Sequence, residues 1–333
     1  MTFSAVGAVA RWISPFVAVA AVAGVVCSSD LLQVSPAPTV RLADAANPLA
    51  GAAFYVNPDS AAMRAAKASP DNPELNSIAN TPTAYWMDQL STPSVDAKYI
   101  AAAQGAGTTP ILALYGIPHR DCGSFAAGGF GSADAYRGWI DGVAAAVGSG
   151  PAAIILEPDA LAMADCLSAG QRQERFDLMS YAVDTLTRNP ATALYVDGGH
   201  SRWVSAEDMA ARLNQVGVSK ARGFSLNTAN FFTTGEEIGY GDAISGLTGG
   251  AHYVIDTGRN GKGPVEGDPL YWCNPDGRAL GTPPTTDTGN GNVDAFLWVK
   301  RPGESDGSCG RGDPGAGRFV NQYAIDLARN AGQ

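Results

Sequence analysis

Apolar residues recur along this chain in short unbroken runs, at 53–56, 83–87, 111–116, 153–156, 193–196, 223–226, 252–255 and 295–299. A strand buried on both faces gives such runs, whereas a half-exposed strand alternates. Between them lie segments with helical spacing. The first follows the turn Asn57-Pro58-Asp59-Ser60 and runs to Lys67; the others cover 97–104, 133–147, 169–187, 206–216, 236–245 and 315–331. About eight strands separated by helices predict a parallel sheet, most simply a closed (β/α) barrel, in one domain. No internal repeat is apparent.

Several strand ends lead directly into polar groups. The apolar run at 152–156 drives into Glu157-Pro158-Asp159, where the proline stops any ladder from continuing, and the run at 111–116 delivers Asp121 in the same way. Alone, Glu157 and Asp159 would read as turn and cap residues. The repetition argues otherwise, because strand C-termini converge on one rim of a barrel and bring together residues distant in sequence. That rim collects Trp86 and Asp88, Asp121, Asp159, Asp197 with His200 and Trp203, Asn227 and Asn230, Asp256, and Lys300 with Glu304 and Asp306. The stretch 258–292 is too long to be an idle connection; it is expected to shape a binding cleft, with Trp272-Cys273 as its anchor.

Composition narrows the chemistry. A formal charge of −10 leaves no basic surface for a phosphate backbone, so nucleic acid is excluded as a partner. Charged residues make up 16%, with 40 Gly and 21 Pro, which suits ordered loops rather than a helical bundle. Residues 1–28 carry one charged side chain, Arg11, before an apolar run from Phe16 to Cys27, and read as a signal peptide or, failing cleavage at a poor site, a signal anchor. Residues 29–46 read as a linker and 47–333 as the functional domain, exported from the cell. Four cysteines then remain, Cys122, Cys166, Cys273 and Cys309, and an even number in an exported chain implies two disulfides. Sequence allows three pairings; the sequential one is expected, because each bridge would pin a loop beside an acidic motif.

Several carboxylates facing a groove lined with Trp and Tyr suit glycoside hydrolysis. One acid must stay protonated for the leaving oxygen while another stays charged, and aromatic faces suit sugar rings. Trp86, Trp203 and Trp272 lie in rim segments; Trp139 and Trp298 read as core. A divalent ion held by Asp121, Asp159, Asp197, His119 and His200 is the competing reading. It is disfavoured because no His-x-His or His-x-x-x-His spacing occurs, so neither metal nor cofactor is expected.

Four ordered segments, 115–122 (YGIPHRDC), 155–161 (ILEPDAL), 196–203 (VDGGHSRW) and 298–307 (WVKRPGESDG), resemble the signature regions of glycoside hydrolase family 6, the cellobiohydrolases and endoglucanases of β-1,4-glucan. The similarity extends from about Asn47 to the C-terminus. It implies a distorted (β/α) barrel with a mainly parallel sheet, an active-site cleft at the strand C-termini and an inverting mechanism without cofactor or metal. By resemblance, Asp159 is the general acid, and Asp121 keeps that acid's pKa high and relays a proton from water. Asp306 is the candidate base, and Tyr115 lies under the distorted sugar. Asp197, His200, Lys300 and Glu304 match polar groups that hold substrate, and Trp86, Trp203 and Trp272 match stacking positions; Asn227 and Asn230, on the same rim, join the expected substrate contacts.

Two departures stand out. Ala127 replaces a Ser that in the family helps hold the catalytic water, and Gly198 replaces a frequent Ala. The compact chain shows little length for the loops that roof a cellobiohydrolase tunnel, so an open-cleft endoglucanase is expected, a monomer acting on cellulose or cello-oligosaccharides without an obligate protein partner. A cellobiohydrolase is one alternative. Motivated by Ala127, a glucan-binding envelope protein without turnover is another.

Overall fold

A computed structural model describes residues 46–332. The expected leader at 1–28 and nearly all of the linker at 29–46 lie outside the described residues. Seven strands form one parallel sheet in sequence order: β1 (Tyr85–Met87), β2 (Ile111–Leu114), β3 (Ala152–Leu156), β4 (Thr192–Asp197), β5 (Gly223–Leu226), β6 (His252–Asp256) and β7 (Val293–Leu297). Among the described residues eight α-helices accompany them: α1 (Ala61–Ala68), α2 (Pro73–Ala79), α3 (Pro93–Gly105), α4 (Ala133–Val147), α5 (Ala169–Leu186), α6 (Ala206–Gln215), α7 (Thr234–Leu247) and α8 (Asn321–Ala331).

Alternation along the strands sorts two cores. Ile111, Ala113, Ala153, Ile155, Ala193, Tyr195, Val254, Ala295 and Leu297 cluster inside the curled sheet, and the many alanines let the strands approach across it. The intervening residues, including Leu112, Leu114, Ile154, Leu156, Leu194, Val196 and Ile255, pack outward against helix residues such as Ile140, Val143, Met179 and Leu213. The same parity continues into the polar ends: Asp197 follows Ala193 and Tyr195, and Asp256 follows Val254, so both point inward at the rim.

The closed barrel expected from periodicity is corrected to an open curl. Between β7 and β1 there is no ladder; Ala84 N donates to Trp298 O at 3.0 Å just beyond the strands. The predicted strand at 53–56 is likewise reduced to a bridge from Phe54 to Thr109. Thr109 N reaches Ala53 O and Tyr55 N reaches Thr109 O, and the pairing goes no further. Trp298 is buried and donates to Thr282 O, and Trp139 packs against Phe130 and Tyr136, as expected of core residues.

Both disulfides follow the sequential pairing, Cys122–Cys166 and Cys273–Cys309. The first joins the loop after β2 to the turn after β3. The second joins the long loop carrying Trp272 to the segment just after Asp306.

Candidate active site

The loops after the strands enclose a cleft of about 700 Å³. Tyr115, Asp121, Asp159, His200, Asn230, Lys300, Glu304 and Asp306 line it together with Trp86, Trp203 and Trp272. Eleven of the thirteen expected catalytic and substrate-binding residues therefore meet in one place, from loops more than two hundred residues apart in sequence.

Two do not line it. Asn227 is fully buried: its amide donates to Phe232 O and Asp256 O and accepts from Phe232 N, so every polar atom is spent on fastening the loops after β5 and β6. Asp197 is also fully buried, at the end of β4. Its Oδ1 accepts from Asp159 N at 3.0 Å and Gly199 N at 2.9 Å, and its Oδ2 from Ser225 Oγ. Both were expected to hold substrate; the structure places them beneath the cleft, fully buried and bonded to the loops that form it.

Backbone conformation at the two acidic loops is unusual. His119, Asp121 and Cys122 after β2, and Glu157 and Asp159 after β3, all have φ between 50° and 68°. Left-handed backbone is uncommon outside glycine, and residues held there in sparsely populated conformations need over-determining contacts. Glu157 supplies some. Buried behind the rim, its carboxylate accepts from Gly116 N and Ile117 N, tying the Asp159 loop to the Tyr115 strand end. Burial pushes Glu157 up to about 7, against the pull of those amides. Gly129 closes the other side of the loop: its φ is +93°, and any Cβ there would collide with Ile117 O.

Electrostatically, the acids separate into two kinds. Asp159 is half-buried at the cleft. Burial drives its carboxyl well above the ordinary range, and the charges of Asp197 and Asp121 drive it further, so the protonated form persists. Asp121 is also raised by burial, although Tyr115 Oη donates to its Oδ1 at 2.6 Å and Arg120, Arg175 and Lys300 oppose the shift. Asp306 is the opposite case. Burial would raise it, but Arg259 Nη1 at 2.8 Å and Lys300 Nζ at 3.1 Å outweigh burial and hold it below its usual value. Asn274 N takes a further share of Oδ2.

The remaining lining groups are suited to holding sugar. His200 is driven down to about 3 by burial and then by Arg202, so the ring is neutral. Arg202 N donates to its Nδ1, which places the ring hydrogen on Nε2. Trp86 is fixed by Nε1 to Val299 O and meets Tyr115 edge-on, and Arg120 lies over the Tyr115 ring at 4.2 Å. Ala127 does face the cleft, but Ser124 of the same loop does too, so a hydroxyl remains there.

Three contributors escaped the sequence reading. Arg259, fully buried and paired with Asp306, and Tyr271, on the cleft wall, both come from the irregular stretch, where no periodicity marks a residue. Arg175 sits inside α5, where an Arg on a helix reads as a solvated face. Among the described residues no group of three or more His, Cys, Asp or Glu side chains is arranged to hold a metal ion.

An open parallel barrel whose rim presents a carboxyl with a raised pKa among other carboxylates, walled by tryptophans, has the make-up of a carbohydrate-cleaving hydrolase. The model for glycosyl hydrolases family 6 matches residues 49–331, and the chain belongs to that family. It is 44% identical over 285 residues to Endoglucanase A of Cellulomonas fimi, covering 84% of this chain and 61% of that one. It is 41% identical over 310 residues to Endoglucanase 1 of Streptomyces halstedii, covering 89% and 94%. The structure of the endoglucanase Cel6 from Mycobacterium tuberculosis, in complex with methyl-cellobiosyl-4-deoxy-4-thio-β-D-cellobioside, superposes with a TM-score of 0.85 at 70% identity. That superposition covers 86% of this chain and 100% of the other.

Proposed function

We propose that this chain is an endo-β-1,4-glucanase, a cellulase that cuts internal β-1,4-glucosidic bonds of cellulose and cello-oligosaccharides with inversion. The observation that carries the reading is Asp159: a cleft-facing carboxyl kept protonated by burial and by flanking acids is what a leaving glycosidic oxygen requires. Trp86, Trp203 and Trp272 offer stacking faces, and Tyr115 lies against Asp121 at the cleavage point. His200, Lys300, Glu304 and Asn230 present donors and acceptors to hydroxyls.

Asp306, saturated by Arg259, Lys300 and Asn274, is a weak base for water, because its cations stabilise the carboxylate against accepting a proton. Asp121 takes that role in this proposal, receiving the water's proton through the cleft as Asp159 gives its own to the leaving group. The cellulase relatives support glucan as the substrate, and Trp203, 40% exposed, and Leu90, 81% exposed, leave the cleft unroofed at its rim, which favours internal cutting. Two disulfides favour export, and a monomer suffices for the site because every group named comes from one chain.

Ala127 favours a second reading, glucan binding without turnover. Incubation with carboxymethylcellulose separates the possibilities. Endo-cleavage lowers viscosity steeply while few reducing ends appear; exo-cleavage releases reducing sugar with little loss of viscosity; binding alone changes neither.

A further inference from the structure

Arg175 lies on α5, outside the cleft, with a side chain almost wholly buried. Its guanidinium donates to Pro118 O at 3.2 Å and His119 O at 2.7 Å, just ahead of Asp121, and to Ala160 O at 3.0 Å, the residue after Asp159. One planar fork thus grips the backbone of both acidic loops. Those carbonyls border the left-handed residues His119, Asp121 and Asp159, which local propensity would not hold in place. A buried guanidinium is costly to desolvate; here Nη1 and Nη2 are matched by the three carbonyls, while Nε is buried without a partner.

We infer that Arg175 is a positioning residue of the reaction: it fixes the distance and orientation of Asp121 relative to Asp159 by clamping the two loops from behind. The inference rests on the proposed pairing of those two acids. A second consequence follows from charge. Asp121 is faced by Tyr115 and Arg120 from its own loop, Arg175 from α5, Lys300 from the segment after β7 and Asp159 from the loop after β3, while Asp197 and Asp306 also face Asp159. Arg175 is a buried cation whose field favours the ionised form of Asp121.

Two variants divide position from charge. Arg175→Lys keeps the cation but cannot span three carbonyls; kcat on a soluble cellulose derivative is expected to fall by about 10–100-fold, with KM nearly constant and both limbs of the pH profile in place. Arg175→Gln loses the cation too, so the acidic limb, which needs ionised Asp121, should move to higher pH by roughly half a unit or more. Melting temperature and circular dichroism record the folded fraction, and rates are taken well below each midpoint. If Arg175→Gln does not fold, Arg175→Lys decides alone. A kcat for Arg175→Lys within about twofold of the parent, or an unmoved profile in a folded Arg175→Gln, overturns the inference and leaves a residue that only stabilises the fold. A parent enzyme with no hydrolysis would instead overturn the proposed function, and the two failures are distinct.

Discussion

Replacing Asp159 by Asn is expected to lower kcat on soluble cellulose derivatives by about 10²–10⁴-fold, the range general acid catalysis commands, while raising the melting temperature at neutral pH. The first effect follows because Asn cannot donate a proton to the leaving oxygen. The second follows from linkage. Asp159 is half-buried beside Asp197 and Asp121, and desolvation with their charges sets its folded-state pKa well above the ordinary carboxylate value. The unfolded chain therefore loses this proton first as pH rises, and stability falls from the unfolded pKa upward through the folded one. At neutral pH the protein retains that penalty, and the neutral amide removes it. Near pH 3, where both states of Asp159 are protonated, the variant and parent should melt alike. Asp159→Asn with undiminished turnover, or melting lower at neutral pH, would contradict the placement of a raised, catalytic acid.

Asp121→Asn carries the second large effect. Its charge is one of those holding Asp159's proton, and its removal lets Asp159 ionise earlier, so the alkaline limb of the activity profile should move to lower pH. Turnover should also fall, by about 10²-fold or more, if the water's proton passes to Asp121. Asp121's own carboxyl is raised by burial, so by the same linkage its removal relieves a penalty at neutral pH and offsets the weaker hydrogen bond that Tyr115 Oη then makes to a neutral acceptor, leaving the melting temperature nearly unchanged. The limb separates the roles: a purely structural Asp121 gives a lower melting temperature and an unshifted profile.

Much of this arrangement was legible in the residues themselves. Strands buried on both faces announce themselves as short apolar runs, and the helix Ala133–Val147 falls where its spacing placed it. The exceptions have local causes. α2 was missed because seven residues with Asn, Ser and Pro show too little periodicity, although Asn72 caps it and Pro73 opens it in standard fashion. The last helix begins at Asn321, since 315–320 is taken up by a turn, closed by Arg318 N on Gly315 O, and by a bridge of Phe319 to Glu304, with Val320 N donating to Gly303 O. At the site, acids on strand ends were visible, but their depth was not: Asp197 and Asp159 look alike in sequence, and only the amides that converge on Asp197 distinguish a buried support from the proposed proton donor. Arg259 and Arg175 were hidden because a single arginine carries no pattern, and what gives each its role is the carboxylate or carbonyls that folding brings to it.

Proton NMR of the first products from a β-1,4-linked cello-oligosaccharide tests the central claim most directly. With Asp159 protonating the leaving oxygen while water attacks the opposite face of the sugar, the newly formed reducing ends should appear first as α-anomers and convert to the equilibrium mixture by mutarotation. Initial β-anomers would mean a covalent intermediate and retention, and would contradict the mechanism assigned to Asp159 and Asp121.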